Sequence, residues 1–268
     1  MKTRILFGAL YGIIFLVILF ALPAVCLVVV TAGLCGLAVY EVLNVTGNRK
    51  YLPLMIISVL FAVCAPFFWY WGRLASLLVI LLYAAAVVAV VVNRHMTMPV
   101  QAAGFAFFIT LLISLSISCM AYLRLADGNG VFYVLMCLII PWMCDIGAYF
   151  TGTFIGKTKL CPKISPKKTV EGLFGGVTVS LGISLLAVLI YQVFFQSDAA
   201  PGIYLWKMAL AALIGAPVSV LGDLFASVIK RQHGVKDFGK FLPGHGGVMD
   251  RFDSLVLTAP ILLLIVLM

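Results

Sequence analysis

Long apolar runs, separated by short polar punctuation, repeat from one end of this chain to the other. A helix needs about 20 apolar residues to cross a bilayer. The spacing predicts nine such helices, roughly at 5–22, 24–45, 52–71, 74–93, 98–122, 130–150, 171–195, 203–229 and 250–268. Pro23 separates the first two, Pro141 is expected to kink the sixth, and the stretch from Leu74 to Val92 carries no charge at all. The first run lacks a small-residue cleavage site and is followed closely by others, so it reads as a retained helix. No polar stretch is long enough for a separate soluble domain. The expected fold class is therefore all-α, a polytopic integral membrane protein. It forms a single membrane domain over 1–268, with N-terminal helices at 1–125 and most of the polar motifs at 126–268.

Composition agrees: the chain is 64% hydrophobic and 10% charged, with a mean hydropathy of +1.20, far outside the soluble range. The placement of positive charge orients it. Among the 18 Lys and Arg residues, only Arg73, Arg124 and Lys207 fall on one expected side. All the others fall on the opposite side, with the N-terminus, the loops at 46–51, 94–97, 151–170 and 230–249, and Arg251 just beyond the last of them. This asymmetry places the N-terminus in the cytoplasm and the C-terminus outside the cell (inner) membrane. Trp69, Tyr70 and Trp71 then sit where an outer aromatic belt is expected. The 7 cysteines form no CxxC pair and read as small buried hydrophobes, and 3 histidines are too few for a His-rich metal site.

The acidic residues sharpen the picture. Asp127 and Asp198 fall in outer loops, whereas Glu41, Asp145, Glu171, Asp223, Asp237, Asp250 and Asp253 fall at or near cytoplasmic helix ends. Charge at the edge of hydrocarbon costs roughly 2.5 to 3.5 kcal/mol per residue on insertion scales, so such a cluster points to a reaction site facing the cytoplasm. Asp223, Ser227 and Lys230 or Arg231 are spaced to share a helical face, and Asp250 and Asp253 are expected to share another at the start of the last helix. Carboxylates from separate helices can hold Mg²⁺ while leaving positions for water and phosphate. Asp223 and Asp250 are the leading candidates, with Asp145 and Asp253 as further candidates beside them. Lys230, Arg231, Lys236 and Arg251 are candidates to neutralise phosphate. The glycines of Leu242-Pro-Gly-His-Gly-Gly247, Gly246 and Gly247 among them, allow a backbone nest for phosphate, with His245 as a donor. A second polar segment, Ser165-Pro-Lys-Lys-Thr-Val-Glu171, reads as a cap feeding the seventh helix and presenting Lys167 and Lys168. Gly152-Thr-Phe-Ile-Gly-Lys-Thr158 is one residue short of a P-loop and follows a membrane helix, not a strand, so that reading fails. Glu41 reads as an interfacial residue that snorkels to the surface, with a minor place in the site as the alternative. Gly172, Gly175, Gly176 and Gly182 read as close helix packing.

The run Ser227-x-x-Lys-Arg-x-x-x-x-Lys-Asp-x-Gly-x-x-Leu-Pro-Gly-His-Gly-Gly-x-x-Asp-Arg-x-Asp253 resembles the signature of the phosphatidate cytidylyltransferase, or CDP-diacylglycerol synthase, family. Asp145-x-x-Ala-Tyr-x-x-Gly, Ser165-Pro-Lys-Lys-Thr-x-Glu-Gly172 and Gly222-Asp-Leu-Phe225 are similar to other stretches of that family. Ala226 departs from it, standing where members often carry Glu. The resemblance implies an Mg²⁺-dependent nucleotidyltransferase of phospholipid biosynthesis: CTP + phosphatidate → CDP-diacylglycerol + pyrophosphate. It leaves open a second metal or a monovalent ion. On this reading Asp223, Lys230, Asp250 and Asp253 are catalytic, and Lys167, Lys168, Ser227, Arg231, Lys236, His245, Gly246, Gly247 and Arg251 bind substrate. The expected partners are CTP, phosphatidate and membrane lipids, with a homodimer allowed and no nucleic acid. The alternatives are a cytidylyltransferase for an ether-linked lipid phosphate and an ion-coupled transporter.

Overall fold

The structure is a computed structural model. It describes residues 2–126, 128–195, 202–239, 241 and 246–268, with the backbone alone at 2–7 and 9. The expectations for Asp127, Asp198, Lys240 and His245 therefore lie outside the described residues, as do those for Leu242, Pro243 and Gly244. The chain divides into two compact units, one of residues 1–121 and 232–252, the other of 122–231 and 253–268. Much of the motif-rich segment after Arg231 thus groups with the N-terminal helices.

The first unit contains α1 (Lys2–Ala21), α2 (Ala24–Val45), α3 (Leu52–Cys64), α4 (Phe68–Asn93), α5 (Val100–Arg124, its last turn crossing into the second unit) and the short α9 (Met249–Phe252). Pro23 precedes α2 as expected, with no N–H to lose at the helix start. Between α3 and α4 the chain makes a 3₁₀ turn at Ala65–Phe67 that contains Pro66. It bends again at Gly72, whose φ of 78° is open to glycine and costly for other residues. Tyr83 ties this region together. Its hydroxyl lies 3.0 Å from Ser58 Oγ on α3. Its ring stacks on Phe61 of α3 at 4.5 Å and on Phe107 of α5 at 5.5 Å.

The second unit contains α6 (Gly130–Phe154), an antiparallel hairpin of β1 (Lys159–Cys161) and β2 (Ser165–Thr169), then α7 (Val170–Phe194), α8 (Leu205–Gln232) and α10 (Leu255–Leu267). The hairpin was not anticipated; the sequence read as a loop there because the strands are short and lack alternating apolar positions. α6 runs through Pro141 without interruption. α6 and α7 pack along their glycines: a Cβ on Gly147 would meet Val179 Cβ at 2.7 Å, and one on Gly176 would meet Cys144 O at 2.6 Å. Gly182 does not belong to this seam, since nothing lies within 4 Å of its added Cβ. A Cβ at Gly175 would fall on the Thr151 side chain, which α6 holds in place. Gly175→Ala should therefore destabilise the folded protein by about 1–3 kcal/mol through overpacking, seen as a lower thermal midpoint in detergent. An unchanged midpoint would mean that α6 and α7 separate freely.

Among the described residues, six helices are long and apolar enough to cross a membrane, counting the bent Leu52–Asn93 as one 42-residue run. Of α1 only Leu10–Ala21 counts there, as a shorter apolar helix; length accounts for the other two differences from nine. At 1.5 Å per residue the Leu52–Asn93 run spans about 63 Å, twice the roughly 30 Å of hydrocarbon. The 13 residues of α10 reach only about 20 Å on the same rise. The last expected span, 250–268, is the main correction: α9 and α10 are separate helices, and Asp253 lies in the break between them rather than on a helical face shared with Asp250. Four of the seven cysteines, Cys35, Cys119, Cys137 and Cys144, are buried as expected, whereas Cys26, Cys64 and Cys161 are half-buried; none of the seven is in a disulfide.

Candidate active site

In the second unit, carboxylates from three segments converge. Asp145 comes from α6, Asp223 from α8, and Asp253 from the link before α10. The spacing along α8 does what the sequence predicted: Ser227 Oγ donates to Asp223 Oδ1 at 3.4 Å. One turn further on, Lys230 Nζ lies 3.8 Å from Asp253 Oδ2, with both side chains largely buried. Gly222 lets the α8 backbone approach the link, because a Cβ there would meet Asp253 O at 2.6 Å. The other oxygen of Asp223 pairs with Lys168 Nζ at 2.5 Å.

The hairpin explains why Lys168 points inward. Thr169 caps α7 by accepting the Gly172 N–H on Oγ1 at 3.1 Å, which satisfies an otherwise orphaned helix donor. Glu171 accepts the N–H groups of Lys157 and Thr158, each at 3.1 Å, and so fastens the start of the hairpin to α7. Along β2, Pro166 and Lys167 are exposed, whereas Lys168 is half-buried and Thr169 buried, and the Lys168 ammonium turns to Asp223. Sequence reasoning treated the two lysines as equivalent; the structure separates them. Both still border a cavity of about 230 Å³ with Asp145, Tyr149 and Thr169.

Ser254 was missed. Its hydroxyl lies 3.4 Å from Asp145 Oδ2 and 3.3 Å from Asp253 Oδ1. One proton can serve only one of them at a time. Its N–H donates to Asp253 Oδ1 at 2.8 Å. The Asp253 carboxyl is pushed up to about 7, first by burial and then by the negative charge of Asp223, with Lys230 and the Ser254 N–H pulling the other way. Three carboxylates thus share the surroundings of two ammonium groups, Lys168 and Lys230. The balance leaves room for added positive charge.

Among the described residues, no three His, Cys, Asp or Glu side chains stand close enough to enclose an ion by themselves. Mg²⁺ keeps several waters and takes one or two protein carboxylates plus substrate phosphates, and the hard oxygen donors here are of the right kind.

In the first unit, the motif segment after α8 is tied by two carboxylates. Asp250 Oδ2 accepts the N–H of Phe238 at 2.8 Å and of Gly247 at 3.0 Å. This draws both ends of the glycine loop together, with Gly246 at a φ of 85°. Asp250, expected as a metal ligand, has at least this loop-holding task. The second carboxylate is Glu41, and here the snorkelling expectation is wrong. Glu41 is only 4% exposed, and its Oε2 accepts the Met249 N–H at 3.0 Å. The signal was present: a lone acid near the end of an apolar helix is costly and calls for a partner. Arg231, Lys236 and Arg251 are exposed, each within its own unit.

These features define a helical, polytopic membrane protein with buried acid–base clusters suited to a cation and to phosphates. The sequence profile of the Cytidylyltransferase family matches residues 2–268, and the chain belongs to that family. The phosphatidate cytidylyltransferase of Bacillus subtilis is 34% identical over 271 residues, covering 98% of this chain and 96% of that one. Those of Staphylococcus saprophyticus and Staphylococcus aureus are 42% identical over 141 residues and 43% identical over 135. In these staphylococcal alignments the chain spans about half the length of the relative, 51% and 49%.

Proposed function

We propose that this protein is a phosphatidate cytidylyltransferase, converting CTP and phosphatidate into CDP-diacylglycerol and pyrophosphate. The observation that carries the reading is the convergence of Asp145, Asp223 and Asp253 with Lys168 and Lys230 in a protein built largely of apolar helices. The relatives' name supplies the substrates. CTP is water-soluble and highly charged, while phosphatidate holds its phosphate at the interface and its tails in lipid. They can meet only at a membrane surface, where such a cluster belongs. The positive-charge asymmetry makes that surface the cytoplasmic one, with the N-terminus inside and the C-terminus outside.

A phosphatidate oxygen attacks the α-phosphorus of CTP, the bond to the bridging oxygen of the β-phosphate breaks, and pyrophosphate leaves. The attacking phosphate monoester is already largely ionised near neutral pH, with a second pKa of about 6, so no strong base is required. The chain's task is then positioning and charge stabilisation. Lys168 and Lys230 hold phosphate oxygens, Arg231 adds charge at the end of α8, and Ser227 and Ser254 fix the carboxylates. Asp223 and Asp145 would hold Mg²⁺ in the second unit, and bound there the ion would neutralise triphosphate charge.

Purified protein given CTP labelled at the α-phosphorus, Mg²⁺ and phosphatidate in detergent should transfer label to the lipid phase. An ether-linked lipid phosphate run in parallel separates the nearest alternative, which gains if only that lipid is labelled. No lipid label with either substrate would sink the proposal.

A further inference from the structure

Glu41 lies in α2, 208 positions from the residue it binds, in a part of the chain that carries none of the recognised motifs. Its carboxylate is buried, with Oε2 accepting from Met249 N–H and the Val248 amide adding to the same interaction. Gly239 and Gly247 close on it from both ends of the loop. A Cβ built on Gly239 would fall on Glu41 Oε1, with Cδ at 2.7 Å, and one on Gly247 would fall on Oε2, again with Cδ at 2.7 Å. Both glycines have backbone conformations that other residues can adopt, since neither has a positive φ. What forbids a side chain at these two positions is the Glu41 carboxylate itself. Among the described residues Oε1 has no hydrogen-bond partner, and a buried carboxylate is costly unless the protein uses it. Asp250 already holds the loop at Phe238 and Gly247, and Glu41 holds the adjoining residues.

We infer that Glu41 is a positioning residue: it fastens the glycine loop and α9 to α2, and so sets where Gly246, Gly247 and Arg251 stand for the reaction. The proposed role is exerted through the loop and not by substrate contact. The kinetic part of this inference rests on the cytidylyltransferase reading; the anchoring part does not.

The test uses the full-length protein. Glu41→Ala should lower kcat about 10- to 100-fold, as misplacement of reacting groups does, with the KM for CTP held within about threefold, since no substrate contact is lost. Glu41→Gln keeps an oxygen for Met249 N–H and should recover most of that loss. Hydrogen exchange at Val248 and Met249 should quicken in Glu41→Ala, with no substrate present. Gly239→Ala should lower the thermal midpoint in the wild-type background and have little effect in the Glu41→Ala background, where the methyl has space. Equal harm from Gly239→Ala in both backgrounds, unchanged exchange, or Gln as damaging as Ala would overturn the inference. So would a loss carried by KM alone. If the wild-type protein consumes no CTP, the function reading falls, while exchange and the Gly239 comparison still decide whether Glu41 is the anchor.

Discussion

Asp223→Asn should lower turnover by roughly two orders of magnitude or more, the scale of removing a preorganised electrostatic stabiliser. Asp223 is the hub of the cluster in the second unit. One oxygen pairs with Lys168, the other accepts from Ser227, and its charge acts on both Asp145 and Asp253. Asparagine matches its shape and can still accept the Ser227 proton, so the loss should come from charge and not from folding. The assay is initial rate against CTP concentration, with the thermal midpoint measured alongside. Near-normal turnover in well-folded Asp223→Asn would remove Asp223 from the reaction.

The second large effect distinguishes two neighbouring lysines. Lys168→Ala should cost about one to two orders of magnitude in kcat/KM, because it removes a charge-assisted contact worth about 1.5–3 kcal/mol and leaves the half-buried Asp223 without its 2.5 Å partner. Lys167→Ala should cost at most a few-fold, since that side chain is exposed and, among the described residues, forms no ion pair with any of the three carboxylates. Lys168→Arg should not restore full activity, because a planar fork does not replace a compact ammonium group in a tight pair. Measured kcat/KM values for the three variants decide the matter. Equal losses at 167 and 168 would mean that the lysines act only as diffuse positive charge.

Much of this could be read from the sequence, because hydrophobic period and charge placement are direct physical signals. Pro23 and the polar punctuation near residue 72 fell where helices end or bend, and the spacing of Asp223, Ser227 and Lys230 gave a shared face that the hydrogen bond to Ser227 bears out. What failed depended on short structure or distant pairing. The β1–β2 hairpin is too short to show a period, and so the sequence could not tell Lys167 from Lys168. The break after Phe252 follows a charged turn rather than a proline or glycine, so Asp250 and Asp253 were set on one helix when they belong to different segments. Ser254 looked like filler until its hydroxyl proved to lie near two carboxylates at once. The sequence shows that Glu41 needs a partner, but that partner lies at the far end of the chain and nothing local names it.

The measurement that bears most directly on the whole account follows both products of CTP together. Wild-type and Asp223→Asn protein would each receive phosphatidate, Mg²⁺, and CTP labelled either at the α- or at the γ-phosphorus. The account predicts α-label in the lipid and γ-label in pyrophosphate, released in equal amounts by the wild type, with both falling together by about two orders of magnitude in the variant. Equal lipid labelling with and without the Asp223 carboxylate, or pyrophosphate released with no lipid labelled, would contradict it.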